Sequence, residues 1–161
     1  MGYDMQWQKD GSNEGYFRAN IWGMGELRHL MNRAGILDTT TAPPPWPEDG
    51  KDEELDDDER YEKWKKDTIP VRGYRSPDPG MVPIMKFGSN DAWIVTPEEA
   101  RIIADGLEEY LQVAKTVPQY PKDLKHGPKE EPIDDDTMAF FKEFVAYNRK
   151  CADLGIAYEV C

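Results

Sequence analysis

Cysteine and histidine are nearly missing from this sequence, at two residues each in 161. Two thiols, Cys151 and Cys161, cannot build a disulfide scaffold, and without a Cys-x-x-Cys pair the expected state is two reduced thiols. His29 stands beside Arg28, and His126 lies in a Lys/Gly/Pro stretch. Neither has a partner at ligand spacing, so no metal and no cofactor is expected. Long apolar runs are also absent. No segment approaches the roughly 18–20 residues of a membrane helix, and residues 1–8 carry neither a basic region nor an apolar run of a signal peptide. A soluble, cytosolic protein without membrane contact is the expectation. The chain has no G-x-S-x-G, P-loop, G-x-G-x-x-G or Cys–His pairing, which leaves a carboxylate-based hydrolase as the weakest of three functional readings.

Positive charge is the other shortage. Twenty Lys and Arg face 32 Asp and Glu, for a net charge of −12. A field of that sign repels nucleic-acid phosphates, so direct DNA or RNA binding is not expected. Solvated surface accounts for the charge by itself; a basic protein partner, a cation or mimicry of a nucleic acid are the functional alternatives.

What is present reads as an α+β domain. "GYDMQWQ" (2–8) alternates Tyr3, Met5 and Trp7 against Asp4, Gln6 and Gln8, the period of a strand with one apolar face. Asn20 caps a helix that starts properly near Met24 and stops at Gly35. "MVPIMKF" (81–87) reads as an edge strand containing Pro83, and "GSND" as a turn into an antiparallel "AWIV", with positive φ supplied by Gly88 or Asn90. Thr96, Pro97 and Glu99 form a capping box ahead of a helix with apolar residues at Ala100, Ile103, Ala104 and Leu107. "TVPQYPKDLKHGPKEEPIDDD" (116–136) reads as an exposed loop, a last helix starts at its acids 134–136 and stops at Gly155, and "IAYEVC" closes as a strand. The expectation is a small, mainly antiparallel sheet with both termini as strands and helices on one face, in one domain spanning 1–161. Residues 38–60, with four prolines around Trp46 and then an acid run, read as an exposed insert. That run lacks the central glycine of a calcium loop.

Three clusters are candidate sites. Asn90 and Asp91 beside Trp93 offer hydrogen bonds and a stacking floor, although turn chemistry and a core tryptophan explain the same residues. Arg18 and Asn20, among Tyr16, Phe17 and Trp22, suit a carboxylate or small polar ligand; an internal ion pair of Arg18 with Asp4 or Asp91 is the structural alternative. Trp46 with Asp56, Asp57 and Asp58 is the candidate contact surface for a partner.

At "MGYDM", "YFRANIWGM" and "KFGSNDAWIVTPEEA" the chain resembles a family of small uncharacterised proteins of bacteriophages and actinobacteria. The resemblance covers about a third of the chain, leaves out the 38–60 insert and carries no activity. It implies a phage accessory protein acting in the host cytoplasm. The leading expectation is a non-enzymatic acidic protein that binds a host macromolecule, such as a host enzyme or a defence protein. A small polar ligand or nucleotide-binding protein is the alternative.

Overall fold

Alternation along the first strand organises the sheet. In β1 (Gly2–Trp7), Met5 and Trp7 are buried while Gln6 between them is exposed. The computed structural model describes residues 2–7, 15–47, 54–119 and 127–161. The polar stretch after β1, the middle of the 38–60 segment and His126 fall outside these. β2 (Tyr16–Asn20) pairs antiparallel with one side of β1, and β8 (Tyr158–Val160) with the other. β5 (Trp93–Val95) completes a four-stranded antiparallel sheet in the order β2-β1-β8-β5. Met5 lies opposite both Phe17 and Val160, and Val160 opposite Trp93, so these side chains share one face, and all are buried. The fold is the expected α+β class, with strands from both ends of the chain adjacent in one sheet.

Three long helices contribute to the same core. α1 (Ile21–Arg33) supplies Met24, Leu27, Leu30 and Met31; α4 (Pro97–Tyr110) supplies Ala100, Ile103 and Leu107; α5 (Asp135–Leu154) supplies Phe141, Phe144 and Cys151. Each start has a side-chain acceptor for an otherwise unpaired N–H. Asn20 accepts from Gly23 N–H at 2.7 Å, Thr96 from Glu99 N–H at 3.2 Å and Asp134 from Thr137 N–H at 2.7 Å. With Asn20 as cap, α1 begins at Ile21 rather than near Met24. α1 and α5 stop alike. Gly35 (φ 76°) and Gly155 (φ 64°) are left-handed, and the isoleucine after each bonds back to the helix, Ile36 to Met31 O and Ile156 to Cys151 O. Both cysteines are free thiols. Cys151 is buried, receives the Trp7 indole N–H at 3.1 Å, and has its pKa pushed up by burial.

One strand is added to the expected elements, and three local expectations are corrected. β2 is a strand of its own, ahead of the Asn20 cap. Residues 81–87 are not one strand. β4 (Val82–Pro83) pairs parallel with β3 (Leu37–Asp38), and a 3-10 helix, Ile84–Phe87, follows. Pro83 has no N–H with which to continue a ladder, and β5 takes β8 as its partner instead. In the turn that follows, the positive φ belongs to Ala92 (56°), not Gly88 or Asn90. The stretch read as a loop after α4 holds two paired strands, β6 (Thr116–Gln119) and β7 (Lys129–Pro132), anchored by wholly buried Val117 and an Arg33–Glu130 ion pair.

Two further helices explain why Ile94 is buried although it points away from the face shared by Trp93 and Val95. α2 (Asp57–Asp67) leads into α3 (Ile69–Arg72). Arg72 reaches Ala92 O at 3.0 Å and Glu159 at 3.4 Å, the residue opposite Ile94 in register. The short helix thus covers the second face of the sheet at β5.

Candidate functional site

The 38–60 segment leaves the body at a fixed point. Asp38 is buried at the end of β3. It accepts hydrogen bonds from the Thr40 N–H (2.9 Å) and hydroxyl (3.0 Å), the Thr41 N–H (3.1 Å) and hydroxyl, and the Ser76 hydroxyl (2.6 Å). These donors, the Ser76 and Thr41 hydroxyls foremost, hold its carboxyl well below the ordinary 3.8. A folded pKa below the unfolded one means that the stabilisation stands in full above 3.8 and is lost as pH falls below that value. Asp38→Asn is therefore expected to lower the thermal midpoint at neutral pH, by an amount that shrinks as the pH is taken from about 6 to about 2. A gap that stays constant over that range would show that the charge on Asp38 contributes nothing.

From there residues 42–47 carry Trp46 back onto the body. Its ring stacks on Trp64 (6.2 Å, 18°) and leans on Trp93 (5.5 Å, 46°). Tyr61 stacks on the other neighbour, Trp64 (6.1 Å, 14°), and Tyr74 meets Trp93 edge-on (5.7 Å). Tyr61 and Trp64 are three apart on α2 and so share a face. The Arg72 guanidinium lies 5.2 Å from the Trp64 ring. The result is a five-ring row, Tyr61–Trp64–Trp46–Trp93–Tyr74, in which Trp46 and Tyr61 remain 42% and 51% exposed. Asp56 caps α2 in a capping box with Glu59, and Asp57 and Asp58 fill its first turn, where the helix dipole favours acids.

Beneath the row is a polar core. Lys86 and Glu99 are both completely buried and 2.7 Å apart. Lys86 Nζ also donates to Ile94 O at 2.7 Å and lies 5.7 Å from the Tyr74 ring. Burial lowers the Lys86 pKa, and the Glu99 carboxylate opposes that shift. Burial, with the nearby Asp38 and Glu99 charges, pushes the Tyr74 hydroxyl up to about 12. Glu99 Oε1 also accepts the Thr96 N–H at 3.0 Å, whereas Oε2 has no hydrogen bond among the described residues and faces Arg75 Nε at 3.6 Å.

A separate groove of about 350 Å³ opens between β2 and the first turns of α1 and α5. Arg18, Asn20, Trp22, Glu26, Asp136, Thr137 and Phe140 line it. Arg18 is ion-paired with Asp4 at 3.6 Å, and Asp4 also accepts the Tyr16 hydroxyl.

Of the sequence candidates, Arg18 and Asn20 line this groove together, and Asn20 also caps α1. Asn90, Asp91 and Trp93 are not among its lining residues. Asn90 reaches Gly2 O at 3.3 Å, Asp91 accepts the Ser89 hydroxyl at 2.6 Å, and Trp93 is 1% exposed, with its indole N–H on Ser89 Oγ at 2.8 Å. Glu26, Asp136 and Phe140 were not legible as site residues, because α5 meets α1 across more than a hundred residues of sequence. Tyr61 and Trp64 carried a signal in their helical spacing.

Among the described residues no helix is long and apolar enough to cross a membrane, and no three His, Cys, Asp or Glu side chains are grouped to hold a metal ion. No family model matches the chain, and no curated protein or solved structure matches it.

Proposed function

We propose that this is a non-enzymatic acidic binding protein that takes a basic face of a partner protein onto the rings of Trp46 and Tyr61. The observation that carries the reading is the arrangement of those two half-exposed rings against Trp64, beside the acidic first turn of α2. A single exposed aromatic is ordinary. Rings already ordered by stacking lose little freedom on docking, and aromatic anchors dominate interface energetics. Asp57, Asp58 and the capping Asp56 supply a negative rim that steers lysine and arginine toward the rings. The resemblance to a family of small bacteriophage and actinobacterial proteins supports a host protein as the partner class.

The test is affinity capture from host lysate with the full chain, identification of the bound protein, and calorimetry with that protein purified. Trp46→Ala is expected to weaken binding by roughly 30-fold or more, the scale of an aromatic hot spot. The triple change Asp56→Asn, Asp57→Asn, Asp58→Asn is expected to slow association and flatten its salt dependence; asparagine preserves the cap at position 56. A partner that binds both variants like the wild type would refute this surface.

A further inference from the structure

The groove between β2, α1 and α5 carries an uncompensated charge. Arg18 at its rim is balanced by Asp4. Asp134, next to the groove, spends its carboxylate on the Thr137 N–H. Glu26, half-buried in the lining, has no cation paired with it among the described residues. Burial, and then the Asp134 charge, raise its pKa above the usual carboxylate value. Asp136 lies on the same lining, exposed, and the rings of Trp22 and Phe140 are part of it too.

A carboxylate taken partly out of water without a counter-ion is costly, and a cation delivered to it recovers that cost. Aromatic walls favour a cation with an apolar stem, since the stem packs on the rings while the head meets the acid. A metal ion suits the site poorly, because no three ligand side chains are grouped there to hold one. We propose that this groove binds an ammonium or guanidinium group carried on an aliphatic stem, with Glu26 as its counter-ion, Asp136 as a second acceptor and Trp22 and Phe140 along the stem. The same chemistry is offered by a free alkylamine or alkylguanidine and by a lysine or arginine side chain of a peptide. The site shares no residue with the Trp46 face and does not depend on that reading.

The test is a titration of the ¹⁵N-labelled full chain with butylguanidine, and separately with the blocked peptide acetyl-Gly-Arg-Gly-amide. Saturable shifts are expected at the amides of Trp22, Gly23 and Thr137. Glu26→Gln is expected to weaken binding about tenfold or more, and the exposed Asp136→Asn by a smaller factor, with unchanged thermal unfolding as the control for fold. Neutral butylurea should leave these resonances in place. Tighter binding of the peptide assigns the groove to a protein side chain, and tighter binding of butylguanidine assigns it to a free small molecule. No saturable shift with either probe, equal binding by both carboxamide variants and wild type, or equal shifts with butylurea would each overturn the proposal.

Discussion

Lys86→Met is expected to lower the free energy of unfolding by about 3–5 kcal/mol, the usual result of removing one partner from a buried ion pair. Methionine fits the lysine stem but leaves Glu99, which is wholly buried, without its closest cation. Oε1 would keep only the Thr96 N–H, and Oε2 only the half-exposed Arg75 at 3.6 Å. The Ile94 carbonyl would also lose its donor. The diagnostic is the double variant Lys86→Met, Glu99→Gln. A neutral glutamine removes the stranded charge and can still bond the Thr96 N–H, so much of the lost stability should return. Denaturant midpoints of the two singles and the double complete the cycle. Additive losses would mean that Lys86 and Glu99 act independently and that the pair does not organise this corner of the core.

That pair also marks where sequence reading stops. Thr96-Pro97-x-Glu99 is legible as a helix start because the bonds it makes are local: the hydroxyl caps Glu99 N–H and the carboxylate returns to Thr96 N–H. The same logic exposes Asn20, Asp134, Gly35 and Gly155, and period-two alternation exposes β1 and β8. None of it reveals that Glu99 has a second role, since Lys86 arrives from a 3-10 turn thirteen residues earlier. A lysine in an apolar run argues for a solvent-facing position; here it points inward because a buried carboxylate waits for it. β2 is hidden for another reason: its alternation lasts only five residues before the Asn20 cap begins a helix. β6 and β7 sit in proline- and lysine-rich sequence whose two buried residues, Val117 and Pro118, are adjacent, which gives no periodic signal.

The candidate surfaces divide in the same way. Arg18 and Asn20 stand out as polar residues among aromatics, and both line the groove between β2, α1 and α5. Glu26, which has no cation paired with it among the described residues, is one polar residue on an amphipathic helix and gains meaning only when the start of α5 packs beside it. Trp46 stands out by its prolines. Its seat depends on α2 and β5, brought together in space by Arg72, whose guanidinium lies over the Trp64 ring and bonds Ala92 O. The polar core and the ring row are thus one structural unit: Lys86 holds Ile94 O, Arg72 holds Ala92 O, and Trp93 between them carries Trp46.

Trp93→Ala is accordingly expected to cost about 3–5 kcal/mol, as truncation of a fully buried tryptophan does, and to do so by emptying the middle of the ring row. Trp93 is 1% exposed, packs edge-on against Tyr74, supports Trp46 and is fixed by its indole bond to Ser89. Trp46→Ala alone should cost far less, because its ring is 42% exposed. The two should not be additive: the Trp46–Trp93 contact is worth about 0.5–1.5 kcal/mol beyond burial, and it vanishes in either single variant. A double variant that is less destabilised than the sum of the singles by that amount fits the row; strict additivity would mean that Trp46 merely lies nearby. The same variant bears on binding. With its wall removed, Trp46 loses the order that prepares it for a partner, so Trp93→Ala should weaken capture of the basic partner although residue 93 is buried. Below the unfolding transition, where the fold is retained, full affinity in Trp93→Ala would separate the contact surface from the row and place recognition on the acids of α2 alone.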